Sequence, residues 1–156
     1  MKRVLISGPG ASGKSTLATR LGKMTGLPVV ELDKLFWQPG LLPTPRDQWV
    51  ELQQRLVDED QWIIDGDLGP CDAVEARLRA ADTIILLDFS FVRCARRALR
   101  RGRERADFWL WLWRYRRKSR PLLIDAIHKF ASQADLHVLC NPKALKRFLA
   151  RIVRTS

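Results

Sequence analysis

The chain has 156 residues and a mass of 18.0 kDa, of which 46% are hydrophobic and 29% charged. That balance excludes wholesale disorder, and no apolar run approaches the roughly 18 residues that a membrane span needs. The formal net charge is +11 with a pI near 10.4, which points to anionic partners such as nucleotides, nucleic acid or a membrane surface.

The first residues predict a short buried strand over Arg3 to Ser7, with Val4, Leu5 and Ile6 consecutive rather than alternating. It runs directly into a glycine-rich turn, Gly8 to Gly13, so no secretory leader is expected. Lys14 to Lys23 reads as a helix with Leu17, Ala18 and Leu21 on one face. Pro28 to Asp33 is a second strand that ends in acids. Pro39, Gly40, Pro43 and Pro45 mark a loop, and Arg46 to Asp58 has helical spacing through Trp49, Leu52 and Leu56. Gln61 to Gly66 is a third strand, and Asp72 to Ala80 a short helix. Thr83 to Asp88 is the fourth and most apolar strand. Phe91 to Arg105 reads as a basic helix, followed by one or two more between Asp107 and Phe130. Leu136 to Cys140 is a fifth strand, and Pro142 to Val153 a closing helix. Five apolar strands alternating with helices predict an α/β fold with a three-layer parallel sheet, organised as one domain over residues 1–156.

Gly8-Pro9-Gly10-Ala11-Ser12-Gly13-Lys14-Ser15 fits the phosphate-binding pattern G-x-x-x-x-G-K-[ST], followed by Thr16, with a strand before it and a helix after it. Glycines allow the backbone to turn its N–H groups inward on phosphate oxygens, and the helix start adds its positive dipole end. Lys14 supplies charge to the outer phosphates, and the Ser15 hydroxyl is placed for Mg²⁺. Gly8, Gly10, Ala11, Ser12, Gly13, Lys14, Ser15 and Thr16 are thus the expected ATP-binding residues. No N-K-x-D appears and no D-x-x-G follows the third strand, so a small phosphotransferase is favoured over a GTPase or motor. Asp65, closing the third strand, is the candidate magnesium acid, with Asp88 at the end of the fourth as its competitor. Asp33 is a candidate for orienting an acceptor hydroxyl, or else a helix cap ahead of Lys34. Arg93, Arg97 and Arg101 recur every fourth residue, which suits either a phosphate clamp or a solvated basic face. Arg77 and Arg79 are further candidates for an anionic acceptor.

These blocks, together with Leu32-Asp33-Lys34-Leu35-Phe36-Trp37-Gln38-Pro39-Gly40, Trp62 to Gly66, Ala81 to Asp88 and Arg96-Arg97, resemble the bacterial adenylate-kinase-related proteins often labelled DNA topology modulation proteins. That group lies within the nucleoside-monophosphate-kinase and shikimate-kinase branch of P-loop folds. The resemblance implies strand order 2-3-1-4-5, binding of ATP and Mg²⁺, and an arginine-rich lid. It implies that Arg97 contacts ATP, that Asn141-Pro142-Lys143 forms the loop against adenine, and that Asp33 is the acceptor-side acid. The chain differs from relatives at Gly66-Asp67-Leu68-Gly69 and in the short Gly102 to Ala106 connection.

Charge is concentrated between Arg93 and Arg120, where twelve basic residues face only Glu104 and Asp107, giving +10; the other 128 residues carry 16 basic and 15 acidic side chains. Within this belt Phe108 to Lys118 interleaves tryptophan with arginine. It reads as a core helix with its arginines turned to the ATP crevice, with Trp109 and Trp113 sharing a face with Leu112. Alternatives are a nucleic-acid surface, where arginines bind phosphate and tryptophans stack on bases, and a membrane-surface contact. Arg101 joins Arg97 as an expected ATP contact. His128 and His137 are isolated, and Cys71, Cys94 and Cys140 lack metal spacing and read as reduced thiols of a cytoplasmic protein. The expected activity is transfer of the γ-phosphoryl group of Mg-ATP to a small anionic or nucleotide acceptor. The alternative is a nucleic-acid-binding ATPase or regulator acting through residues 93–120.

Overall fold

Val4, Leu5 and Ile6 are all fully buried, because the strand that carries them is central and covered on both faces. The computed structural model describes residues 1–40, 42–66, 72, 74–102 and 106–155, without the side chain of Thr155. Five parallel strands form the main sheet: β1 (Arg3–Ser7), β2 (Val29–Glu31), β5 (Trp62–Asp65), β6 (Thr83–Leu86) and β7 (Asp135–Val138). Their order is β2-β5-β1-β6-β7. Counted among themselves in chain order, these strands run 2-3-1-4-5, with β1 flanked in register by Ile6↔Asp65 and Ser7↔Leu86.

Alternate side chains of the central strands feed two apolar clusters. Val4, Ile6, Ile63 and Ile85 pack with α1 (Lys14–Thr25), α5 (Phe91–Arg101), α6 (Ala106–Tyr115) and α8 (Pro142–Thr155) through Leu17, Leu21, Cys94, Leu112, Phe148 and Leu149. Leu5, Ile64, Ile84 and Leu86 pack on the other face with α3 (Arg46–Asp58), α4 (Val74–Ala80) and α7 (Ser119–Phe130) through Trp49, Val57, Leu78, Leu123 and Ile127. This is the three-layer α/β arrangement that the buried strands require.

Three local features differ from the sequence expectation. The stretch read as a proline loop is a hairpin, β3 (Trp37–Gln38) with β4 (Leu42–Pro43), preceded by the short helix α2 (Leu32–Phe36). The Thr44 N–H and hydroxyl both donate to the Phe36 carbonyl, so a polar tie rather than an apolar pattern closes it. The basic helix stops at Arg101, where Gly102 takes φ +66° and donates its N–H to the Ala98 carbonyl as a left-handed cap. Residues 103–105, expected to extend that helix, lie outside the described residues, as does Cys71. On α6 the buried positions are Leu112 and Tyr115, with Phe108, Trp109 and Trp111 packed partly against the core, whereas Trp113 is 54% exposed. Of the expected Trp109–Leu112–Trp113 face, Trp109 and Leu112 therefore pack against the core and Trp113 does not.

Ile64→Ala should lower the unfolding free energy by about 2–5 kcal/mol, since it deletes a fully buried side chain from a central strand. Urea unfolding followed by circular dichroism would measure this.

Candidate functional site

The loop after β1 is shaped by positions that have no room for a side chain. Gly8 has φ +149°, and a Cβ there would lie 2.6 Å from the Leu87 carbonyl, which presses the loop onto the end of β6. Ala11, at φ 57°, is the one non-glycine with positive φ among the described residues, a strained backbone of the kind held at ligand sites. Gly13 has φ +101° and caps α1, whose first N–H groups face the loop. The Lys14 Nζ curls back to donate to the carbonyls of Gly8 at 3.0 Å and Pro9 at 3.2 Å. From the side, Arg97 donates through Nη1 to the Ser12 carbonyl at 3.3 Å, and a Cβ on Gly13 would meet that same guanidinium. A Cβ on Gly10 would collide with the rings of Phe108 and Trp111 on α6. The aromatic helix thus rests on the glycine loop itself, a contact that composition alone could not have located.

Three acids gather near this loop, Glu31 at the end of β2, Asp33 on α2 and Asp65 at the end of β5. Asp65 is buried at the tip of β5, next to the P-loop strand and in register with Glu31 of β2. Gly66 then leaves the strand at φ +140°, where a Cβ would sit 2.9 Å from Leu32 Cβ, so α2 can start close by. Burial pushes the Asp65 carboxyl above the usual carboxylate range; the Ser15 hydroxyl bonded to it and the Lys14 charge oppose that shift, while Asp33 and Glu31 add to it. Asp65 Oδ1 has no hydrogen-bond partner among the described residues.

Asp33 is neither the end of a strand nor a helix cap. It is the second residue of α2, exposed, and the cap position belongs to Glu31. Glu31 itself was not singled out from sequence, although the acidic close of β2 was visible; it pairs with Lys34 at 2.7 Å.

The second candidate metal acid has another occupation. Asp88, 6% exposed, accepts from Arg120 Nη2 at 2.9 Å, and Arg116 Nη2 lies 4.0 Å away. Asp65 lies beside Ser15; Asp88 does not bear on it. Arg77 is fully buried in an ion pair with Asp72, and Arg79 pairs with Glu75 and lies over the Phe130 ring. Neither projects into an open crevice as the acceptor-gripping role would require.

Beside the loop, a cavity of about 750 Å³ is lined by Phe89, Ser90, Val92, Arg93, Arg96, Arg97, Arg100, Pro142 and Leu145. Arg101 does not line it. At 100° per residue, positions seven apart on a helix nearly eclipse, whereas positions eight apart diverge by roughly 80°, so Arg100 rather than Arg101 joins Arg93. Asn141 serves as a helix cap, its Oδ1 accepting from the Ala144 N–H at 2.9 Å, and Lys143 is exposed; of that trio only Pro142 lines the cavity. No cluster of three or more His, Cys, Asp or Glu side chains suited to a metal ion occurs among the described residues. No helix among them is long and apolar enough to cross a membrane.

No family model and no curated protein sequence matches the chain. Solved structures do. Shikimate kinase from Acinetobacter baumannii, in complex with shikimate, is 14% identical with a TM-score of 0.71, over 99% of this chain and 92% of that one. A gluconokinase from Sinorhizobium meliloti 1021 is 16% identical with a TM-score of 0.55, over 98% and 87%. Deoxyadenosine kinase from M. mycoides with bound dATP is 13% identical with a TM-score of 0.53, over 97% and 99%. The chain has the P-loop fold of these kinases. At such identities the likeness is one of architecture, so the chemistry has to be argued from the residues themselves.

The raised pKa of Asp65 gives a signed prediction. The unfolded carboxyl ionises near its ordinary value of 3.8 and the folded one at higher pH, so the native state loses stability as pH rises through the folded pKa. Asp65→Asn should therefore raise the Tm at pH 7, by roughly 2–4 °C for each kcal/mol relieved at this chain length. The gain should vanish below about pH 4, where both states of the wild type are protonated. Calorimetric scans at pH 4 and pH 7 would measure both.

Proposed function

We propose that the protein is an ATP-dependent phosphotransferase that moves the γ-phosphoryl group to a small anionic or nucleotide acceptor. The observation that carries this reading is the glycine loop, with its strained backbone, the α1 N-terminus beneath it, Lys14 arched over it and Arg97 at its edge. Such a loop offers converging N–H donors and fixed positive charge to a polyphosphate. When phosphates enter, Lys14 exchanges its two loop carbonyls for phosphate oxygens, and Arg97 neutralises charge that develops on the transferring group.

Mg²⁺ fits the residues present. The Ser15 hydroxyl and the Asp65 carboxylate, hydrogen-bonded to each other, are oxygen donors of the type this ion takes, with Asp65 Oδ1 not otherwise engaged by the described residues. Bound there, the ion would screen phosphate charge; Ser15 and Asp65 would hold it from the protein side. Asp33 stands on the acceptor side, near enough to Asp65 to perturb it, and positions the acceptor hydroxyl or takes its proton. The resemblance to adenylate-kinase-related proteins supports these roles and a cytoplasmic site of action.

Lys14→Ala should weaken nucleotide binding by at least about ten-fold, the scale of one charge-assisted contact, and bring turnover below detection while the far-ultraviolet spectrum stays unchanged. Normal hydrolysis or transfer by that variant would falsify the mechanism. Screening wild type against a panel of metabolites for stimulated ATP consumption identifies the acceptor.

One observation favours a second reading. Trp113 is exposed with the Arg117 guanidinium 5.2 Å from its ring centroid, an arrangement that could stack on a nucleobase of single-stranded nucleic acid. Salt-dependent binding of a DNA or RNA oligonucleotide that disappears on neutralising Arg114, Arg116 and Arg117 would support it; salt-insensitive or absent binding counts against it.

A further inference from the structure

The cavity beside the glycine loop has an unusual chemical bias. Four of its nine lining residues are arginines on one helix, at spacings of three, four and seven. Arg97 reaches from this wall to the Ser12 carbonyl, so the cavity adjoins the glycine loop across that side chain and is where a nucleotide's base would lie under the kinase reading. Arg93 is turned onto the Phe89 ring, 5.7 Å from its centroid. Arg96 and Arg100 are exposed at the mouth. Phe89, Val92, Pro142 and Leu145 supply apolar surface for the faces of a base.

The lining side chains that could read the base edge are nearly all donors. A guanidinium donates hydrogen bonds and accepts none. Asn141, next in the chain to the lining Pro142, has its side-chain oxygen engaged by the Ala144 N–H and its carbonyl engaged by the Leu145 N–H at 3.1 Å. Among the lining side chains the Ser90 hydroxyl is the acceptor that remains. Guanine presents two adjacent acceptors, O6 and N7, which match an arginine fork; adenine sets an amino donor beside N7, which faces a guanidinium donor to donor.

We infer that this cavity reads acceptor edges and takes guanine at least as well as adenine, with Arg96 and Arg100 as the specificity-determining residues. The inference rests on the nucleotide-binding reading above and adds that GTP serves as a phosphoryl donor alongside ATP.

Isothermal titration with AMP-PNP, GMP-PNP and inorganic tripolyphosphate, each with Mg²⁺, tests it on wild type and on Arg96→Met/Arg100→Met. Both side chains are exposed on α5, so the double variant keeps the fold, and methionine keeps the apolar stem. Wild type should bind GMP-PNP at least as tightly as AMP-PNP. The double variant should lose about ten-fold for GMP-PNP, the scale of one lost bidentate contact, and less than about three-fold for AMP-PNP, with tripolyphosphate unchanged. A preference of wild type for AMP-PNP of about ten-fold or more overturns the inference and leaves the kinase reading standing. Equal losses for all three ligands also overturn it, since the arginines would then hold phosphate rather than base. No binding of either nucleotide to wild type overturns both.

Discussion

A polyphosphate can be gripped by backbone N–H groups only where no side chain intervenes, and most of this molecule is arranged around one stretch that meets that condition. Gly8 is pressed by the Leu87 carbonyl at the end of β6, Gly10 by the rings of Phe108 and Trp111, and Gly13 by the Arg97 guanidinium. Three separate parts of the chain thus close on a loop of six residues. A methyl group at any of these positions would displace a neighbour from a different element. The glycines matter for the loop's conformation, and they matter equally for what is allowed to touch it.

The same crowding explains how the basic belt is distributed. A run of like charge at +10 would repel itself on an open surface, yet several of its members are engaged in different directions. Arg97 turns to the loop, Arg93 to an aromatic ring, Arg117 to another, and Arg116 and Arg120 to the buried carboxylate of Asp88. Asp88 sits just beyond β6, close to the glycine loop, and draws in the start of α7, which ties the segment after the tryptophan helix to the sheet. The net charge therefore resolves into a donor-lined cavity along α5, an ion-pair tie at β6 and a remaining exposed patch around Trp113. Only the last retains the general polyanion-seeking character that composition suggested.

Asp65 shows how the site holds stability and chemistry in tension. A carboxylate at a strand tip between β1 and β2, with Glu31 and Asp33 near it, is desolvated and surrounded by like charge. The Ser15 hydroxyl and Lys14 offset part of that cost. Such an arrangement is unfavourable for folding alone and sensible where a cation is to be received, which is the usual reason a protein retains strain in one place.

The amino-acid sequence by itself determined the architecture and the glycine loop. Consecutive apolar triplets such as Val4-Leu5-Ile6 mark strands covered on both faces, and glycine spacing followed by Lys14 and Ser15 has a direct backbone meaning, so both are legible one residue at a time. Helix bounds were legible where a clear period followed a run of prolines, as over Arg46–Asp58. What the tertiary structure decided was which charged groups meet. Asp65 ends β5 and Asp88 follows β6, the two apolar strands that flank β1, and both close the same local pattern; only packing sets one against Ser15 and the other against Arg120. Arg77 looks like an available cation in sequence and is buried against Asp72 in the fold. Arg100 replaces Arg101 at the cavity because packing turns the Arg93 side of α5 toward it, and the seventh position on, not the eighth, shares that side. Periodicity records how often a side chain recurs on a face, and a partner from a distant segment decides what that face touches. The contact between the tryptophan helix and Gly10 joins residues about a hundred positions apart, and no local pattern carries that information.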